Sequence, residues 1–162
     1  MLMARTIQQW FDEYSLNHQH PTNKKIHFVC VPLIFMSLVG LLSNISITPP
    51  NFNHPNLFPY FNLGELLILA GLIFYLRLSL SIFIGMTLFS LFTLAIVFLV
   101  SKYAVVPMWI ISLAVFVLAW AGQFYGHKIE GKKPSFLTDL QFLLIGPAWI
   151  LGFIYKKMGI AL

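Results

Sequence analysis

The chain has 162 residues and a mass of 18.5 kDa, one domain's worth of polypeptide. Apolar residues make up 59% of it, charged residues only 9%, and the formal net charge is +5; an ordinary soluble domain is about 25% charged. Ten basic and five acidic residues cannot cover the surface of so small a soluble fold, so the composition argues against a soluble globular domain, a disordered chain and a secreted disulfide scaffold.

What remains is an all-α, polytopic membrane protein with a single membrane domain over residues 1–162. The mean hydropathy of +0.83 agrees. Cys30 is the one cysteine and cannot form an internal disulfide. The basic residues sit in short gaps between apolar runs, where topology signals belong. They do not line one long basic face, so no nucleic-acid partner is expected. Arg5, Asp12, Glu13, Lys24 and Lys25 interrupt the N-terminal region, which is unlike a cleavable signal peptide.

Taken in chain order, residues 4–17 predict a short amphipathic helix. Ile7, Trp10, Phe11 and Tyr14 recur at spacings of three and four, and such a helix can lie on a membrane surface. Pro21 opens the next helix in its first turn, where proline is tolerated. Four spans are expected over about 26–45, 60–78, 80–100 and 104–126, each close to the roughly 20 residues a crossing needs. A Pro-rich loop without Lys or Arg, 46–63, separates the first two. The second run is the shortest. The last apolar segment, 137–155, is broken by Asp139, Gln141 and Pro147. It reads as a fifth span or as a re-entrant or interfacial segment.

Charge favours the latter. With the N-terminus in the cytoplasm and four crossings, Arg5, Lys24, Lys25, Arg77, Lys128, Lys132 and Lys133 lie inside. Lys156 and Lys157 join them if 137–155 returns without crossing, which leaves only Lys102 outside.

That topology gathers histidines. His18, His20, His27 and His127 fall at the cytoplasmic ends of the first and fourth spans, and His54 lies in the outer loop, where it is expected to be solvent-exposed. Asn23 and His27 are i, i+4 on one helix face. Gln123, His127 and Glu130 are i, i+4, i+7 on another. Histidine is the commonest metal ligand, and neutral imidazole suits iron and zinc. Asn23, Gln123 and Glu130 are placed to orient such ligands. The bland reading is that these histidines are interfacial caps at helix ends. The sequence contains no GxGxxG, P-loop, GxSxG or HExxH pattern. Five histidines are too few for the boxes of membrane di-iron desaturases.

Two strings carry a resemblance. One is His18-Gln19-His20-Pro21-Thr22-Asn23-Lys24-Lys25-Ile26-His27, followed by Val31-Pro32. The other is Trp120-Ala121-Gly122-Gln123-Phe124-Tyr125-Gly126-His127, with Glu130 and Pro134 after it. Together they resemble the family of small membrane proteins typified by the yeast 2-hydroxy fatty acid dioxygenase of phytosphingosine breakdown. The resemblance covers almost the whole chain. It implies His18, His27 and His127 as functional histidines, with His20 at a position the pattern leaves open. Asn23, Gln123 and Glu130 match its polar companions. It further implies Fe(II), O₂ and a 2-hydroxy fatty acid as partners, cleaved at C1–C2 to an acid one carbon shorter. The membrane would be the inner membrane in a bacterium or the endoplasmic reticulum in a eukaryote. Typical members carry one more residue between the histidine and the glutamate, so Glu130 is turned by about 100° from its place in the pattern. A haem between His27 and His127, or a non-catalytic protein that binds a lipid or a partner, are the alternatives.

Overall fold

A backbone surrounded by apolar side chains must satisfy its own hydrogen bonds, and helices do so within one segment. The computed structural model describes residues 5–47, 61–131 and 142–162. These form α1 (Ile7–Ser15), α2 (Pro21–Leu42), α3 (Leu63–Leu78), α4 (Leu80–Tyr103), α5 (Met108–Glu130) and α6 (Ile145–Met158). His54 and residues 132–141, which include Asp139, Gln141 and Pro134, lie outside the described residues.

The ends of the helices follow local chemistry. Thr6 and Gln9 form a capping box at the start of α1, and Asn62 and Glu65 do the same for α3. Ser79 ends α3 with its N–H on the Tyr75 carbonyl and caps α4 by accepting from the Ile82 N–H, so one residue joins two helices. α5 starts after Pro107 and runs to Glu130, four residues beyond the expected end of its apolar run. It stops at Gly131, whose φ of 73° is the left-handed conformation that favours glycine.

α2, α4 and α5 are long and apolar enough to cross a membrane. The expectation of four spans is thus met by length and composition in three of them. α3 has 16 residues, about 24 Å of helix, short of a hydrocarbon core of about 30 Å.

α2 and α5 pack antiparallel, and small residues set how closely. Any side chain at Gly126 would run into the Asn23 side chain, and one at Gly122 into Cys30 Sγ. Near the other end Gly40 faces Ser112 and Met108. Small residues let helix backbones approach where no water drives them together. Phe35, Val39, Ile68 and Val97 join α2, α3 and α4 in a core of their own.

α1 does not lie loose on a surface. Ile7, Phe11 and Tyr14 are buried in one cluster with Tyr75, Ile82, Met86, Ile145, Ala148 and Trp149, so the apolar stripe expected to face lipid faces α3, α4 and α6 instead. Amphipathicity specifies that one face is covered, not by what. α6 has 14 residues and does not traverse the bundle. Leu143, just before it, packs with Ile34 and Trp120. Each of these lies seven residues inside a histidine of its own helix, about 10 Å deeper. The far end of α6 is back at the histidine end, where the Tyr155 hydroxyl donates to the Ser81 carbonyl at 2.8 Å.

Candidate metal centre

The antiparallel pairing of α2 and α5 puts the start of one helix against the end of the other. His27, in the second turn of α2, therefore meets His127, in the last turn of α5. Their ring centroids are 5.0 Å apart. His18 comes from the turn between α1 and α2, and its ring lies 4.3 Å from His27 and 5.3 Å from His127. One potential ligand atom from each of the three lies within 4.8 Å of the others. All three residues are at most 3% exposed.

Two of the rings are oriented by backbone. Nδ1 of His18 is 2.6 Å from the Tyr14 carbonyl, and Nδ1 of His27 is 3.1 Å from the Asn23 carbonyl. A carbonyl only accepts, so each Nδ1 carries the proton and each Nε2 keeps its lone pair. The Gln123 side chain lies beside His27, and Nε2 of His27 has no partner in hydrogen-bond geometry among the described residues. An orphaned lone pair in a buried site is costly, and a cation between the rings removes that cost.

The donor set fits a transition metal. Three neutral imidazoles suit iron or zinc, and three protein ligands leave further coordination positions open. Two nitrogens about 2.1 Å from one ion are at most about 4.2 Å apart, so a spread of up to 4.8 Å closes by a small rotation of the rings. His18 converges with His27 and His127 on one point, a donor set that suits a single small ion better than a haem held between two rings.

The other expected residues divide. Gln123 is buried one turn below His127. Asn23 is fully buried, and its amide donates to Glu130 Oε2 at 3.0 Å and to the Asn17 carbonyl at 3.3 Å. Glu130 offers no oxygen to the cluster. Its carboxylate accepts from the backbone N–H groups of Gln19 and His20, both at 2.8 Å, as well as from Asn23. His20 is the one expected ligand that the structure does not bring to the cluster. It is exposed, in extended backbone, and its Nδ1 accepts from the Thr22 N–H at 3.2 Å as the cap of α2.

Sequence reasoning missed the aromatic wall. Tyr14 stacks on His18 at 4.1 Å, and Trp149 of α6 lies 5.6 Å from the same ring. The Trp149 indole N–H donates to Ser15 Oγ at 2.8 Å, tying α6 to α1 beside the histidines. The i, i+4 spacing of Tyr14 and His18 is a usable signal; Trp149 has none, because its segment reads only as apolar. A cavity of about 20 Å³ adjoins the cluster, lined by Tyr14, Val31, Gln123 and Gly146 among others.

Residues 4–158 match the Mpo1-like family, described as 2-hydroxy-palmitic acid dioxygenase Mpo1-like. No curated protein and no solved structure matches the chain.

Proposed function

Because the chain belongs to the Mpo1-like family, we propose that it is a membrane-embedded, Fe(II)-dependent dioxygenase that shortens 2-hydroxy fatty acids by one carbon. The observation that carries the reading is the convergence of His18, His27 and His127 in a buried cluster with ligand spacing. A ferrous ion held there by His18, His27 and His127 would supply coordination positions for the 2-hydroxy acid and O₂ and the redox chemistry that C1–C2 cleavage needs.

The chain's own residues have separate tasks. The Tyr14 and Asn23 carbonyls hold the proton on Nδ1 of His18 and His27, so both present Nε2 to the ion. Three neutral ligands bring no negative charge to the site, which favours an anionic chelate such as a 2-hydroxy carboxylate over a neutral lipid. Lys24, Lys25 and Lys128 flank the histidines in sequence and draw the carboxylate to this end. Gln123, buried beside His27, is placed to hydrogen-bond a bound oxygen atom of the substrate. The cavity of about 20 Å³ has room for one water-sized molecule, not for an acyl chain. In this reading α3 crosses the membrane with residues that flank it, and the histidine end faces the cytoplasm.

The test is metal content and turnover on detergent-purified protein prepared anaerobically. About one iron per chain is expected in the wild type, lost in His127→Ala, with O₂ uptake on 2-hydroxy-palmitic acid that follows the iron. A well-folded, iron-supplemented sample without stoichiometric metal would leave a non-catalytic lipid- or partner-binding protein.

A further inference from the structure

Glu130 is in an unfavourable place for its own helix. It is the last residue of α5, where the carbonyl ends of the helix repel a carboxylate. What holds it lies across the site. Oε1 accepts from the Gln19 N–H and Oε2 from the His20 N–H, each at 2.8 Å, and Oε2 also accepts from Asn23 Nδ2 at 3.0 Å. Two of these donors are backbone groups just ahead of α2, the positive end of that helix. Asn23 passes the tie on to the Asn17 carbonyl at 3.3 Å.

Residues 17, 19, 20 and 23 are thereby fastened to residue 130. Between them is His18, the one member of the cluster that is not on a helix. His27 and His127 are held by the packing of α2 on α5; His18 is held at its ring by Tyr14 and at its backbone by the turn.

We infer that Glu130 is a positioning residue, neither a metal ligand nor a catalytic acid: it fastens the turn that carries His18 to the end of α5 beside His127, and so completes the three-histidine set. The inference rests on the metal reading above.

The test is anaerobic titration with Co(II), whose visible spectrum reports the ligand set, on wild type, Glu130→Gln and His18→Ala. Glutamine keeps one acceptor oxygen and sets an NH₂ against a backbone N–H, which opens the clamp. Glu130→Gln is expected to bind Co(II) about 10–100-fold more weakly, as for other groups that orient ligands, with the spectrum of His18→Ala. Loss of one negative charge would by itself weaken binding but leave the spectrum unchanged, so a wild-type spectrum in folded Glu130→Gln overturns the inference, whatever the affinity. If Glu130→Gln does not fold, Asn23→Ala removes one of the three donors and is expected to shift affinity and spectrum the same way, by less; no shift overturns the inference again. A wild-type protein that binds no Co(II) sinks the metal reading, and this role with it.

Discussion

At the scale of single residues, the four candidate histidines are not equivalent. His27→Ala and His127→Ala each remove one of three converging nitrogens, and both are expected to lower iron retention and turnover by about 100-fold or more, read by iron content and O₂ uptake. His20→Ala removes only the cap on the Thr22 N–H, a loss of about 1 kcal/mol, and should keep its iron. Loss of iron in His20→Ala would return His20 to the ligand set. The sequence placed all four histidines at one end of the molecule, and the resemblance pointed to His18 while leaving His20 open; their spacing alone could not separate the two. They are two residues apart in a turn, and only the backbone conformation there decides which ring goes inward. His20 is extended and turns its ring back onto the start of α2; His18 turns under Tyr14.

At the scale of helices, the α2–α5 pair is the element that makes the site. Its closeness depends on Gly122 and Gly126. Gly126→Ala is expected to destabilise by about 1–3 kcal/mol, because the methyl group meets the Asn23 side chain; a melt in detergent measures it. Gly122→Ala meets Cys30 Sγ at 2.7 Å. The double variant Gly122→Ala/Cys30→Ala should therefore recover part of what Gly122→Ala loses, a coupling that independent sites would not show. The docking of α1 on α6 has its own test. Ser15→Ala leaves the buried Trp149 indole N–H without its acceptor, a cost of about 1–3 kcal/mol, and an unchanged melting temperature would argue that α1 is not held there. The helices themselves were legible from apolar run length and proline and glycine punctuation. The partner of α1 was not, since an amphipathic stripe reads the same whether lipid or protein covers it.

At the scale of the whole molecule, charge and geometry agree. Arg5, Lys24, Lys25, Arg77, Lys128, Lys156 and Lys157 lie at the histidine end, and Lys102 ends α4 at the other. In a Cys30→Ala background, Lys25→Cys and Lys156→Cys should react with an impermeant thiol reagent from one side of the membrane, and Lys102→Cys from the opposite side. Labelling of Lys156→Cys together with Lys102→Cys would mean that the segment ending in α6 crosses after all. The short length of α6 and its return beside Ser81 favour the first outcome, as does the placement of positive charge.

Composition alone determined the class, because so few charges cannot solvate a small soluble fold, and hydropathy determined where most of the helices lie, because a helix satisfies its backbone locally. The clustering of histidines at one end followed as well, since alternating spans fix which loops share a side. The tertiary structure decided what needs contacts between distant residues. It brought three of the four histidines together, set the Glu130 carboxylate on donors 107 to 111 residues away, and placed Trp149 beside His18. Those choices depend on how closely two helices approach and how one turn folds, and neither is written in the periodicity of a single strand of sequence.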